Sequence, residues 1–520
     1  MQAKGYEAFD SRMKLFQDVL EAVKDDKLNI IGVYGMGGMG NTTLVKQVAK
    51  QVMEDNSFDK AVMAEVLLTR SLQTVAKVAK PKMERALEVL VRARESIKPA
   101  NPTPEHLRNF KLSLMDQITF PVYVSTIFLY KADGNVKADQ ISQCLKLSLS
   151  KTLTKFYPLA GRVKDDFSIE SNDEGAEYVE ALANGFLFEY LQKPDQNLLR
   201  DFHPFNYVES PAASNGCPML RVQATFFKCG GLAITVCTCH KLIDGASLRI
   251  FVDSWATTAR ADNQLSGSSN NKEVTPRFVT STIFPASESF VAAPSHISPV
   301  KANRFVFDAK KIDELKAKVA SPTVPRPTRV EALTALIWKC ARAASRSNLG
   351  YSRPSLSVQA IDVRAVAEPP LPDNSVGNSV AYLTAQASEK ETETLQDLVC
   401  SLRKAKAEFR RNGLKTLLKN KSIFDIPESI KDKFEKDEID FYTFSSLVNF
   451  PYYEVADFGW GKPVHMTMPN YWVSNLIIIM AANDAKGIEV WVTLSPEDMA
   501  FFEGDEELLA FATRNPSVLT

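Results

Sequence analysis

Residues Leu232–Cys239 form a run of apolar, β-branched and small side chains without a charge, Leu-Ala-Ile-Thr-Val-Cys-Thr-Cys. Such a run is typical of a strand that is buried on both faces. His240 follows the run, and Asp244-Gly245 leads into Ala246–Ala256, whose apolar periodicity predicts a helix. The sequence therefore predicts a strand, a turn and a helix, with an imidazole at the end of the strand.

An imidazole at the end of a rigid strand is well placed to abstract a proton, because its neighbours fix its position. The pair of His240 and Asp244 is weak evidence by itself, since a lone His is more often structural than catalytic. Two flanking segments strengthen it: Pro218–Gln223 precedes the strand, and Ser254-Trp255-Ala256 ends the predicted helix. A second motif, Asp457-Phe458-Gly459-Trp460-Gly461, lies in the C-terminal part of the chain.

These features together resemble the BAHD family of plant acyl-CoA-dependent acyltransferases, whose signatures are His-x-x-x-Asp-Gly and Asp-Phe-Gly-Trp-Gly. The resemblance extends from about Met83 to the C-terminus. It implies an α/β fold of two domains, like that of chloramphenicol acetyltransferase, with a solvent channel between them. Within the family, Glu331–Cys340 and Asp457–Pro463 look most like the vinorine synthase-like enzymes. The expected reaction transfers an acyl group, with acetyl-CoA favoured as the donor, to a hydroxyl of an alkaloid or terpenoid.

The resemblance also implies roles for the motif residues. His240 is expected to take the proton of the acceptor while the acceptor oxygen attacks the thioester, without an acyl-enzyme. Asp244 is expected to be structural and to pair with Arg364 of the second domain, which would fix the turn that presents His240. The glycine-rich motif is expected to shape the wall of the CoA channel through Asp457, Phe458, Gly459, Trp460 and Gly461.

Three further segments are similar to patterns of the family. Lys111–Gln117 contains its early Leu-Ser-x-x-Asp motif. The resemblance places a hydroxyl at Ser446, where it would donate to the oxyanion, and Leu447 stands where the family has Trp. Gly377-Asn378 resembles an active-site loop of the family, and a plain turn is the alternative interpretation.

Composition argues against several classes of partner. The 520 residues include 62 basic and 62 acidic side chains, and a net charge of zero favours neither nucleic acid nor an anionic membrane. The longest apolar run, Leu476–Ala482, is too short to span a bilayer. Seven Cys without a regular framework, and an N-terminus without an apolar signal core, indicate the cytoplasm. We expect a monomer that takes acyl-CoA and a small alcohol.

No metal is expected. Cys237, Cys239 and His240 lie close together in sequence, but no second pair of ligands follows at the spacing of a zinc site. The two Cys are therefore expected to lie in the core. The remaining His residues are expected to be structural or exposed, namely His106, His203, His296 and His465.

The N-terminal segment follows a different pattern. Leu28–Tyr34 predicts a short strand, Leu44–Met53 predicts a helix, and a glycine-rich loop joins them. With Phe58–Met63 beyond them, they resemble the P-loop at the start of the NB-ARC module of plant disease-resistance proteins. The resemblance would place phosphate groups against Gly35, Gly37, Gly38, Gly40, Asn41 and Thr42.

The chemistry of a nucleotide site is incomplete in this segment. Asn41 stands at the position of the phosphate-binding Lys, and an amide cannot supply that point charge. No apolar strand ending in paired Asp follows, so a Mg²⁺ site is missing as well. The favoured interpretation is a truncated βαβ fragment, from a gene fusion or a mistaken gene model. The alternative is a nucleotide-binding (ADP/ATP) NB-ARC-type defence module with a degenerate acyltransferase domain.

Domain boundaries follow from composition. Residues 263–271 are rich in Ser, Asn and Gly, and four Pro residues follow before residue 303, which predicts a long crossover linker. A hairpin over Leu476–Leu494 and a final helix from Ser495 to about Arg514 are predicted near the C-terminus. The expected organisation is a P-loop fragment at 1–66, a junction at 67–82, a first acyltransferase domain at 83–262, the crossover linker at 263–303 and a second acyltransferase domain at 304–520.

Two variants of the favoured function stay open. N-acylation of an amine needs the same base and the same thioester. A catalytically dead binding protein is the other alternative, and the intact His240 and Asp244 count against it.

Overall fold

The protein is described by a computed structural model. It describes residues 31–34, 60–68, 71–79 and 88–519, except for 132–136, 195–198, 206–214, 263–273, 290–299, 388–392, 423–425, 427–429, 437 and 470–472. The chain divides into two compact units, Met1–Leu87 and Glu88–Thr520.

The first unit contains a three-stranded antiparallel sheet of β1 (Ile31–Tyr34), β2 (Lys60–Leu68) and β3 (Ser71–Ala79), in the order β1-β3-β2. This differs from the predicted βαβ fragment, whose strands would be parallel. It also places a strand inside the expected junction at 67–82. Only two residues separate β2 from β3, and a hairpin is the pairing that so short a connection allows. The predicted helix and the P-loop residues Gly35–Thr42 lie outside the described residues.

The second unit has two halves, and the described residues of the first half (residues 88–262) form eight strands and four α-helices. The strands are β4 (Val89–Ile97), β5 (Asn109–Lys111), β6 (Tyr123–Tyr130), β7 (Arg162–Val163), β8 (Ser168–Glu170), β9 (Ala176–Ala183), β10 (Leu220–Phe227) and β11 (Leu232–Cys239) among the described residues. The helices there are α1 (Leu114–Ile118), α2 (Ala138–Lys155), α3 (Leu187–Gln192) and α4 (Gly245–Asp262).

β11 is the strand predicted by the apolar run, and all eight of its residues are buried. It lies between β6 and β10 and pairs with both in antiparallel orientation. α2 and α4 pack against each other, and the indole Nε1 of Trp255 donates to Ser148 Oγ at 3.0 Å. The predicted strand, turn and helix around His240 are thus confirmed.

The second half (residues 300–519) contains β12 (Lys301–Phe307), β13 (Ser355–Asp362), β14 (Val380–Ala387), β15 (Asp440–Ser446), β16 (His465–Thr467), β17 (Leu476–Ala481), β18 (Ile488–Leu494) and β19 (Thr513–Arg514). Helix α5 (Thr280–Ile283) lies between the halves, and the second half adds α6 (Ala309–Val319), α7 (Arg329–Leu349), α8 (Leu395–Glu408), α9 (Leu414–Asn420), α10 (Lys431–Glu435), α11 (Tyr452–Val455), α12 (Pro496–Phe502) and α13 (Glu506–Leu509).

The second half is organised around a seven-stranded sheet, in the order β14-β13-β15-β17-β18-β12-β19. α7 begins with a capping box, which is formed by Thr328 and Glu331. The predicted hairpin of β17 and β18 is confirmed. The predicted final helix is wrong in extent: α12 ends at Phe502, and Asp505 then caps the separate helix α13. A fresh N-cap starts a new helix rather than continuing the old one.

One strand joins the two halves. β16 belongs to the second half in sequence but pairs with β6, so the sheet of the first half has the order β16-β6-β11-β10-β9-β4. Tyr130 Oη donates to the carbonyl of Ala456 at 2.7 Å, and Tyr452 Oη donates to that of Gly245 at 2.7 Å. The fold is the predicted two-domain α/β architecture. Within the described part of the chain, the helices are all too short or too polar to cross a bilayer.

Candidate active site

His240 lies directly after β11, and its backbone N–H donates to the carbonyl of Val122 at 2.7 Å. The ring is partly buried and meets Asn378, which lies just before β14 in the second half. The distance from His240 Nδ1 to Asn378 Oδ1 is 3.2 Å. The base predicted from the first half therefore contacts a residue of the second half.

The hydrogen bonds of Asn378 determine which ring nitrogen carries the proton. Its Nδ2 donates to Asp116 Oδ1 at 3.0 Å and to the carbonyl of His240 at 2.8 Å. Both partners only accept, so the amide cannot be flipped, and Oδ1 is left as the acceptor that faces the ring. His240 Nδ1 must therefore be the donor. The other ring nitrogen, Nε2, then keeps its lone pair, as a general base requires.

Asp244 is buried in the turn that follows and forms an ion pair with Arg364, with 3.0 Å between Oδ1 and Nη2. Its carboxylate also accepts the backbone N–H of Ser247 at 2.8 Å and of Ser379 at 3.0 Å. Burial alone would raise the pKa of Asp244, but the Arg364 charge and these hydrogen bonds hold it below its usual value. Asp244 is an ionised structural partner and is not placed to be the base.

Arg364 links the two halves through more than this ion pair. Its Nη2 also donates to Ser247 Oγ at 3.2 Å and to the carbonyl of Gly377 at 2.9 Å. Gly377 has a φ of +136°, and a Cβ there would collide with Thr280. The loop that carries Asn378 is thus held by Arg364 on one side and by close packing on the other.

Asp116, the last residue of the early Leu-Ser-x-x-Asp motif, is completely buried beneath Asn378. Its Oδ1 accepts Asn378 N at 2.7 Å as well as Nδ2, and its Oδ2 accepts Ser113 N at 2.9 Å and Ser113 Oγ at 2.6 Å. Burial raises the pKa of Asp116 to about 6, and the four hydrogen bonds act in the opposite direction. The motif was recognisable in the sequence, but no role for Asp116 was predicted.

Ser446 is the last residue of β15 and is exposed. Side chains alternate between the faces of a strand, and Tyr442 and Phe444, which share the face of Ser446, lie in the apolar core of the second half. Ser445 has the opposite orientation. It pairs with Ile478, which in turn lies opposite Trp491.

The face of Ser445 looks toward the first half. Glu489 lies on this same face of the sheet, and its Oε1 is 3.9 Å from Nδ1 of His465 in β16. Leu447, next along the chain, lies so close to Gly245 that a Cβ there would be 3.0 Å from Leu447 Cδ2. The end of β15 therefore reaches the turn that follows His240, with the Ser445 side chain on the nearer face.

The motif at Asp457–Gly461 folds into a compact turn at the end of α4. Asp457 Oδ1 accepts the backbone N–H of Gly459 at 2.9 Å and of Gly461 at 3.1 Å. Both glycines have positive φ, at +108° and +98°. The Phe458 ring is stacked on Trp460 at 5.6 Å and meets Trp255 edge-on at 4.9 Å. These contacts give the motif an architectural role.

The remaining Cys and His residues are distributed as follows. Cys237 and Cys239 are buried in β11, and burial raises the pKa of each thiol to about 12. No cluster of three or more His, Cys, Asp or Glu suited to a metal occurs within the described ranges. His203 and His465 are buried, His106 is exposed, and His296 lies outside the described residues.

Comparison with known proteins identifies the family. Residues 87–509 match the model of the Transferase family, and residues 12–93 match that of the NB-ARC domain. The BAHD acyltransferase BIA1 of Arabidopsis thaliana is 38% identical over 455 residues, which are 84% of this chain and 100% of that protein. The chain belongs to the BAHD acyltransferase family. As a member of this acyl-CoA-dependent family, it is an acyltransferase.

Two further comparisons show which members of the family this BAHD acyltransferase resembles. A limonoid 7-O-acetyltransferase of Citrus sinensis is 35% identical over 461 residues, which are 82% of this chain and 98% of that protein. The crystal structure of vinorine synthase matches with a TM-score of 0.68 and 29% identity, and covers 83% of this chain and 100% of that one. The resemblance to vinorine synthase-like BAHD enzymes is thus confirmed.

Proposed function

We propose that this BAHD acyltransferase transfers an acetyl group from acetyl-CoA to a hydroxyl of an alkaloid or terpenoid, with His240 as the general base. The observation that supports this most directly is the contact between His240 Nδ1 and Asn378 Oδ1, which leaves Nε2 free to accept a proton. The acetyl donor and the oxygen acceptor are supported by the name of the limonoid 7-O-acetyltransferase relative, since limonoids are oxygenated terpenoids.

The reaction proceeds through a single tetrahedral intermediate. His240 Nε2 takes the proton of the acceptor hydroxyl while the acceptor oxygen bonds to the thioester carbonyl carbon. The carbonyl oxygen becomes an oxyanion, and its collapse breaks the bond from carbon to sulfur. The proton on His240 then goes to the sulfur, so the products are the ester and CoA–SH. A positioned base contributes a rate factor of about 10²–10⁴ to such a step.

The supporting residues follow from the geometry. Asp244 and Arg364 fix the turn that presents His240, and Asn378 fixes its tautomer. A serine hydroxyl at the end of β15 donates to the oxyanion. Ser446 was predicted for this role, and the alternation along β15 favours its neighbour Ser445 instead, since Ser445 lies on the face toward the first half.

The test is release of CoA–SH from acetyl-CoA with a panel of alkaloid and terpenoid alcohols. Four proteins are compared: the full chain, a chain that begins at Met83, His240→Ala and His106→Ala. His106 is an exposed His of the first half and is the matched control. We expect the full chain, the Met83 chain and His106→Ala to be equally active, and His240→Ala to lose at least about 10²-fold. Full activity of His240→Ala would refute the proposal.

The second candidate function is the nucleotide-binding module with a degenerate acyltransferase domain. The match of residues 12–93 to the NB-ARC domain favours it, and Asn41 at the position of the phosphate-binding Lys counts against it. Binding of ADP and ATP by the full chain, measured by calorimetry, distinguishes the two. Nucleotide binding without release of CoA–SH from any acyl-CoA donor would favour the second candidate.

A further inference from the structure

Asp116 is a carboxylate that is completely buried. All four of its hydrogen-bond donors are neutral, namely Ser113 N, Ser113 Oγ, Asn378 N and Asn378 Nδ2. In the part of the chain that the structure describes, no Lys or Arg forms an ion pair with it. A carboxylate that accepts four hydrogen bonds is ionised at neutral pH, because protonation would turn one oxygen into a donor that faces another donor. The charge is therefore held in place by neutral groups.

We propose that Asp116 is a positioning residue for catalysis, and that its negative charge acts on His240 through the side chain of Asn378. This inference rests on the proposed role of His240 as the base. Three distant segments of the chain meet in one line of hydrogen bonds, from His240 Nδ1 to Asn378 Oδ1 at 3.2 Å and from Asn378 Nδ2 to Asp116 Oδ1 at 3.0 Å.

The line of hydrogen bonds matters most after proton transfer. When His240 takes the proton of the acceptor, the imidazolium needs a compensating negative charge. Asp244 cannot supply it, because Arg364 already neutralises that carboxylate at 3.0 Å. Asp116 has no such partner among the described residues, and a charge acts strongly over a short distance inside a protein. Asp116 thus stabilises the imidazolium and, through Asn378, keeps the proton of the neutral ring on Nδ1.

A purely structural explanation is that Asp116 only caps α1. Ser113 and Asp116 do form a capping box, and the same box recurs on α8 between Thr394 and Asp397. There Asp397 Oδ2 accepts Thr394 N at 2.9 Å and Thr394 Oγ1 at 2.7 Å. Asp397 lies in the first turn of α8, which packs against α7 and β14 of the second half. The two boxes share a capping role, and only Asp116 also bonds to Asn378.

Other charged groups near His240 are already paired. Lys241 Nζ lies 3.3 Å from the carbonyl of Gln117 and 3.3 Å from Asp166 Oδ1. Arg364 is shared between Asp244 and Asp362, at 3.0 Å and 3.1 Å. None of these contacts involves Asp116, so a change in the pH profile of an Asp116 variant reports on Asp116.

The experiment compares the pH dependence of kcat/KM for the full-length wild type, Asp116→Asn, Asp397→Asn and Ser113→Ala. In Asp116→Asn the imidazolium loses its countercharge, so we expect kcat to fall at least about tenfold and the acid limb to move down by about one pH unit. The KM for acetyl-CoA is expected to stay unchanged. Asp397→Asn, with the same capping loss, is expected to keep the profile of the wild type.

Ser113→Ala keeps the proposal testable if Asp116→Asn does not fold. It removes one donor to the carboxylate, so Asp116 is protonated at higher pH and the acid limb is expected to move up. The inference would be overturned if the acid limb stays in place in Ser113→Ala. It would also be overturned if Asp116→Asn folds and has the same pH profile as Asp397→Asn. Either result would leave His240 as the base. An inactive wild type, or an active His240→Ala, would instead overturn the proposed function.

Discussion

The ion pair of Asp244 and Arg364 is deeply buried at the candidate site, with side chains 1% and 8% exposed. Removing Arg364 leaves Asp244 as an uncompensated buried charge, whereas removing Asp244 leaves Arg364 with the exposed Asp362 as its ion-pair partner. We therefore expect Arg364→Ala to lower the free energy of unfolding by about 3–5 kcal/mol, and Asp244→Ala to lower it by a smaller amount. The double variant is expected to lose less than the sum of the two, because no lone charge remains.

Urea unfolding of the three variants measures these losses. The matched control is the exposed pair of Lys311 and Glu314, 3.0 Å apart on α6, where Lys311→Ala is expected to cost at most about 1 kcal/mol. Equal and small losses at both sites would contradict the structural role assigned to Asp244.

Single residues differ in how far the sequence reveals them. His240 and Asp244 were recognisable because their spacing is local, and the family pattern pointed to Arg364. The hydrogen bonds that join Asp116, Asn378 and His240 were not predictable, because these residues are separated by more than a hundred positions each, at 116, 240 and 378. No periodicity in the sequence reports a contact that only the packing of the two halves creates.

The strand β15 yields a prediction at the scale of the element. Its alternation places Ser445 toward the first half and Ser446 on the other face. If Ser445 donates to the oxyanion, Ser445→Ala is expected to lower kcat by about 10²–10³-fold. Ser446→Ala is the matched control, one residue away, and is expected to stay within about twofold of the wild type. Steady-state kinetics with acetyl-CoA decides between them, and the reverse result would restore Ser446 to the predicted role.

Elements with a long and regular pattern were predicted well. β11 and α4 lie where their apolar patterns indicate. Short elements were missed, and β16 is the clearest case because three residues, His-Met-Thr, have no period of their own. The final helix was predicted too long, since Asp505 was not recognised as a second N-cap. The stability of such pieces comes from neighbours rather than from local sequence.

At the scale of the whole molecule, two His residues of the described part of the chain are buried in neutral form, His203 and His465. Burial lowers the pKa of His203 and of His465 from 6.5 to about 4. Because the pKa of each His is lower in the folded chain, the unfolded chain binds these protons at a higher pH. The free energy of unfolding is therefore highest above about pH 6.5 and decreases as the pH falls toward 4. Each of the two His residues lowers the free energy of unfolding by up to about 3 kcal/mol over that range.

Asp116 opposes this loss, because its raised pKa of about 6 makes the folded chain take up a proton as the pH falls through 6. Proton uptake by Asp116 offsets the stability that is lost through about one of the two His residues, so a net loss of stability remains. We expect the Tm to fall between pH 6.5 and 4, and to fall less in His465→Gln. His106→Ala, which changes an exposed ring, is expected to keep the slope of the wild type. Thermal unfolding across this pH range measures both slopes, and a flat Tm in the wild type would contradict the prediction.

The strand β16 also determines how enzymes of this architecture can be recombined. A chimera with a single breakpoint in the crossover takes β6 from one parent and β16 from the other. The pairs between β6 and β16, such as Leu129 with His465 and Ile127 with Thr467, then combine side chains that did not evolve in the same protein. A chimera that takes its first half from one parent therefore also needs residues 465–467 from that parent. Exchange of the two halves preserves the sheet only when residues 465–467 travel with the first parent.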